Sequence, residues 1–94
     1  MKTYEFRCDD SYEAEKLAGI VSVQRDGTVW VSAVTTLIGN EIVIQLKDKS
    51  SHAVLLKSAR DAAILRDFLS KVVAGIIVIR KSSHSGSVAE VIVD

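Results

Sequence analysis

Proline is absent from the 94 residues, cysteine occurs once, and aromatic side chains make up 5% of the chain. Each shortage excludes something. Without proline, glycine and short polar clusters have to punctuate the structure. One cysteine cannot close an internal disulfide, which removes the stapled secreted mini-proteins and suits a reducing, cytoplasmic setting. So few aromatics leave no array of rings on which a polymer of bases could stack. Charge of one sign is also missing, since twelve Lys plus Arg balance twelve Asp plus Glu. Net charge therefore points to neither a polybasic binder nor an acidic solvating tail. The longest uncharged run, residues 27–40, contains four hydroxyl residues and is too short to span a bilayer. The first ten residues are charged and lack the apolar stretch of a signal peptide. No membrane partner is expected.

What is present reads as an ordinary globular domain. Apolar residues at 48% and charged residues at 26% supply enough core for one domain, residues 1–94, and not for two. Tyr4, Phe6 and Cys8 alternate with charged residues and predict a short half-buried strand. Asp10, followed three residues later by Glu13, forms a capping-box pattern, and Gly19 stands where a helix C-cap belongs. A short helix over 11–18 is expected. The main helix is predicted after Ser58, with Asp61 completing its box and Ala62, Leu65, Phe68, Leu69 and Val72 forming one apolar stripe.

Side-chain alternation chooses the turns in the middle of the chain. A three-residue loop at Arg25-Asp26-Gly27 pairs Val23 with Val29 and Val21 with Val31, gathering valines on one face. A two-residue Gly39-Asn40 loop pairs Leu37 with Ile42, Thr35 with Ile44 and Ala33 with Leu46, extending that face. The expected core face is Val21, Val23, Val29, Val31, Ala33, Leu37, Ile42, Ile44 and Leu46. A turn at Lys49-Ser50-Ser51 returns a fourth strand, 52–57, with Ala53 and Leu55 inward. After Gly75, the unalternated run Ile76, Ile77, Val78, Ile79 predicts a strand buried on both faces. A serine-rich loop, 82–86, leads to a last strand, 87–93. The fold class is α+β: an antiparallel sheet, made of a four-strand meander plus a C-terminal hairpin, packed by one long helix and preceded by a short N-terminal helix.

In this register the second sheet face displays Ile20, Trp30, Val34, Ile38, Val43, Val54 and Leu56, too many apolar groups for a wet surface. Self-association through the sheet is the leading expectation, with cover by the N-terminal segment or by another protein as alternatives. Trp30 sits between Ser22 and Ser32 on that face, as a stacking platform would, with Lys47 and Lys49 beside it. From Lys47 to Lys81 there are eight basic residues against three acidic, a surplus that a single-stranded nucleic acid could use. Arg80, Lys81 and His84, among the serines of 82–86, form a candidate anion-binding loop.

No cofactor, metal or enzyme is indicated. His52 and His84 have no Cys or carboxylate at metal-ligand spacing. No nucleophile elbow, phosphate-binding loop or dinucleotide fingerprint occurs, and the acidic cluster Glu5, Asp9, Asp10, Glu13 and Glu15 is explained by capping and solvation. A four-strand meander followed by a capped helix resembles the unit of Whirly-type single-stranded DNA binders, although the leading strand and helix and the closing hairpin depart from it. That resemblance implies that the face bearing Trp30, Lys47 and Lys49 contacts bases and phosphates. The expected function is a small non-enzymatic binding module that self-associates through its sheet. The alternatives are a single-stranded nucleic-acid binder and a mobile-element-type inhibitor or adaptor that docks on another protein.

Overall fold

Eight elements follow from these local signals. The computed structural model describes residues 1–25 and 31–94, with residues 35–37 described by their backbone alone. The alternating segment forms β1 (Lys2–Arg7), with Phe6 buried and its neighbours exposed. Asp10 then opens α1 (Ser11–Arg25) by accepting the Glu13 amide on Oδ1 at 2.9 Å. A meander of β2 (Val31–Ile38), β3 (Glu41–Leu46) and β4 (Ser51–Leu55) follows. The chain continues through α2 (Ala59–Val73) and ends in the hairpin of β5 (Ile79–Ser85) and β6 (Val88–Val93). The strands make two antiparallel three-stranded sheets, ordered β1-β6-β5 and β2-β3-β4.

Helix α2 starts and stops where its sequence says. Ser58 Oγ accepts the Asp61 amide at 3.1 Å, satisfying one of the open donors of the first turn. At the other end Gly75 takes φ +77°, and two bonds close a Schellman motif: Ile76 N–H to Lys71 O at 2.9 Å and Gly75 N–H to Val72 O at 3.0 Å. Ala62, Leu65, Phe68 and Leu69 are buried on its inner face.

The two sheets are stitched where β1 and β4 end. Cys8 bridges Leu56, Asp9 N–H donates to Leu55 O at 3.0 Å and Lys57 N–H donates to Arg7 O at 2.8 Å. The β2–β3 and β5–β6 turns reach the same place. Cys8 N–H donates to Ser87 O at 2.8 Å, and Leu56 N–H to Asn40 O at 2.8 Å. Asn40 Nδ2 in return donates to Leu56 O at 2.9 Å. One cluster of buried side chains draws on every element. Within it Phe68 of α2 meets Tyr4 and Phe6 of β1 at centroid separations of 5.0 and 5.5 Å, within the range favoured by aromatic pairs.

The structure corrects four expectations. First, Gly19 does not end the first helix, which runs on to Arg25. Val21 and Val23 are therefore helical and cannot pair with Val31 and Val29, and the meander has three strands, not four. The four-strand unit behind the Whirly-type resemblance is thus absent among the described residues. Packing overrides the β-branched pattern of Ile20, Val21 and Val23, because the helix buries Leu17, Ile20 and Val21. The Arg25-Asp26-Gly27 turn, Val29 and Trp30 lie in or at the edge of residues 26–30, outside the described residues.

Second, the Gly39-Asn40 turn does pair Leu37 with Ile42, but shifts after it pair Val34 with Ile44, Ala33 with Gln45 and Val31 with Leu46. Third, β4 sits one residue out of the expected alternation. Ile42 faces Val54, so Val54 and Leu56 are buried while Ala53 is exposed and Leu55 half-buried. Fourth, the run after Gly75 is not an interior strand. Ile76 and Val78 are 72% and 59% exposed, β5 begins only at Ile79, and β5 is an edge, with β6 in the middle. The serines expected in a loop are in β5 instead, closed by a tight turn at Gly86.

The two helix glycines should respond to alanine with opposite signs in urea unfolding. Gly75 holds a left-handed conformation, so Gly75→Ala should cost roughly 1 kcal/mol. Nothing lies within 4 Å of where a Gly19 side chain would begin, and its φ is not left-handed. Gly19→Ala should therefore stabilise by roughly 0.5–1 kcal/mol. At the junction, Asn40→Ala leaves the Leu56 carbonyl without its side-chain donor and should cost about 1–2 kcal/mol in the same assay.

Candidate functional site

Helix α1 carries two stripes of the same spacing on opposite sides. Ala14, Leu17, Ala18 and Val21 recur at i, i+3, i+4 and i+7 and are all buried. Lys16, Gly19, Ile20 and Val23 repeat that spacing on the other side of the helix and line a groove with Leu46 of β3 and His52 of β4. The groove holds about 360 Å³, inside the range of small-molecule sites. It is the place where the core stays unfilled: Leu46 pairs with buried Val31, and His52 pairs with buried Ile44, so both side chains point to the core side of their sheet. The walls are hydrocarbon apart from Lys16 and His52.

Side chains of α1 also complete the outer edge of β4. Lys16 Nζ donates to Ala53 O at 2.8 Å, and a Glu13 carboxylate oxygen accepts the Leu55 amide at 3.3 Å. Glu13 therefore does not close the reciprocal half of the capping box. Lys16 makes no ion pair among the described residues.

The residues singled out from sequence do not converge. Lys47 and Lys49 are exposed at the β3–β4 turn, where Lys49 takes φ +71°. Asp48 lies between them, and hydrogen bonds from the Ser50 hydroxyl and amide hold its carboxyl below the usual range. Arg80, Lys81 and His84 are exposed on β5 in the other sheet. Arg80 Nε is paired with Asp94 at 2.9 Å, and the Ser82 hydroxyl donates to Ala18 O at 2.8 Å, so this segment is tied into the fold as a strand. Trp30 lies outside the described residues. On the outer face of that sheet Glu5 and Glu90 stand directly opposite each other, an unfavourable pairing of like charges. Of the groove residues, the sequence pattern presents Gly19 as a helix end and His52 as an isolated imidazole. The signal that finds them is the second i, i+3, i+4, i+7 stripe, which is visible only if α1 continues past Gly19.

Among the described residues no group of three His, Cys, Asp or Glu side chains is placed to hold a metal ion, and no helix is long and apolar enough to cross a membrane. The chain's one thiol, Cys8, is fully buried. Burial foremost, then the carboxylates of Glu13, Asp10 and Asp61, push its pKa from 9.0 up to about 11. A thiol so held is protonated and a poor nucleophile. Comparison of the chain with protein-family models, with curated proteins and with solved structures found no match.

The raised Cys8 pKa sets a pH dependence whose sign is fixed. The unfolded chain loses this proton near pH 9 while the folded chain keeps it to about pH 11, so unfolding gains across that window. Stability is full below about pH 9 and falls by an amount on the order of 2 kcal/mol as pH rises to about 11. Urea midpoints of Cys8→Ala should lose that part of the slope, and identical slopes in variant and wild type would refute the assignment.

Proposed function

We propose that the chain is a single-domain, non-enzymatic interaction module of a reducing, cytoplasmic compartment that self-associates through the β2 edge of its second sheet. The observation that carries this reading is the difference among the four strand edges. β1 carries Lys2, Glu5 and Arg7, and β5 carries Arg80 and Lys81, charges that discourage pairing with another chain. The edge of β4 is occupied by Glu13 and Lys16. β2, VSAVTTLI, is the longest of the four at eight residues and has neither a charge nor a proline.

Two register shifts bend the first part of β2, but the end of the strand pairs regularly, with Thr36, Leu37 and Ile38 opposite Val43, Ile42 and Glu41. Ile38 there is 67% exposed. Antiparallel pairing of two β2 ends about a two-fold axis would satisfy the open backbone groups of both copies. It would also join two three-stranded sheets into one of six. The outward face of each, with Ala33, Val43, Ala53 and Leu55 among Glu41, Gln45 and Ser51, would then run continuously across the axis.

Sedimentation velocity over a wide concentration range checks this. The wild type should sediment at twice its 10.2 kDa chain mass. Ile38→Lys places a charge on the free edge and should give a folded monomer, since the side chain it replaces is already in solvent. A wild type that stays monomeric at every concentration, or an Ile38→Lys variant that still dimerises, overturns the reading.

A further inference from the structure

The groove on the second stripe of α1 is left open by the described residues of the chain. A helix buried in a small core commits one stripe to it, yet α1 spends Ile20 and Val23 on its far side. Gly19 stands beside them at a mid-helix position that favours almost any other residue. No close approach of backbone or side chain explains that glycine, because the space beside it is open. Its effect is to keep the groove deep. Leu46 and His52 form the opposite wall, and the volume of about 360 Å³ suits a single flexible hydrocarbon tail.

Charge selects the head group. Among the described residues that line the groove, the polar side chains are Lys16 and His52 and none is acidic. Lys16 Nζ donates to the Ala53 carbonyl, a neutral acceptor, and makes no ion pair among the described residues. Glu13 accepts the Leu55 amide at the outer edge of β4 and is not among the described residues that line the groove. We infer that the groove between α1 and the β3–β4 hairpin binds a small anionic amphiphile, with its hydrocarbon tail against Ile20, Val23 and Leu46 and its carboxylate-type head at Lys16 and His52. The site is separate from the β2 edge and does not depend on self-association.

Three ten-carbon probes separate tail from head: decanoate, decanol and decyltrimethylammonium, titrated into the full chain by calorimetry and followed by amide shifts. Decanoate should bind with shifts centred on Lys16, Gly19, Ile20, Val23, Leu46 and His52. Decanol should bind roughly tenfold more weakly, and the cation should not bind. Lys16→Gln should lower decanoate affinity to that of decanol and leave decanol unchanged. Gly19→Leu, which adds a better helix former into open space, should fold at least as stably as wild type and bind neither. Absence of decanoate binding, equal binding of the cation, or decanoate binding that survives Gly19→Leu overturns the proposal.

Discussion

The rest of the structure depends on the main-chain junction at Cys8 and Leu56. Two separate three-stranded sheets have no reason to share a core unless something fixes their relative position. Two backbone hydrogen bonds do so here, Asp9 N–H to Leu55 O and Lys57 N–H to Arg7 O, while Cys8 to Ser87 and Leu56 to Asn40 tie the same residues to the neighbouring strands of their own sheets. The chain crosses between sheets at this point immediately before each helix, so the same few residues that lock the sheets also aim α1 and α2. Buried backbone groups must be paired somewhere, and pairing them across the junction is what converts two sheets into one folded unit. Cys8 sits in the middle of it, fully buried, and that burial is the first cause of its raised thiol pKa.

From this junction α1 leaves with work on two sides. Its buried stripe packs on the β1-β6-β5 sheet, where Ser82 also anchors to Ala18. Its far side runs past β4, occupying that strand's open edge with Glu13 and Lys16 before diverging to leave the groove. One helix thus prevents one edge from pairing and creates one cavity. Among the described residues no side-chain hydrogen bond of this kind is made to the outer edge of β2, and this contrast between two uncharged edges is what the proposed self-association rests on.

Much of the architecture was legible in particular residues. Ser58 with Asp61, Gly75 after the helix, Asp10 before the first helix and Gly39-Asn40 between strands each act through local backbone chemistry, and each stands where expected. The failures share one cause. Ile20-Val21-Ser22-Val23 alternates like a strand, and Ile76 to Ile79 runs like a buried one, because period and composition report burial without saying against what. α1 defeats the usual periodicity since two opposed stripes cancel in any single-face reading. The register shifts in β2 are likewise invisible to alternation, which assumes a regular ladder. Because the groove depends on the corrected length of α1, the candidate site could not have been assembled from spacing alone.

By itself the sequence determined the α+β class, the N-caps of both helices, the C-cap of the second, the Gly39-Asn40 turn and the absence of an internal disulfide, since all of these are decided by residue types or by residues within a few positions of one another. Only the tertiary structure decided which side of β4 is inward, that six strands form two sheets, which edges are guarded, and that Lys16, Gly19, Ile20 and Val23 face Leu46 and His52. Those outcomes require segments some thirty or more residues apart to compete for the same apolar surface and the same backbone partners. That competition is settled by packing and hydrogen-bond satisfaction over the whole chain, and no local pattern encodes it.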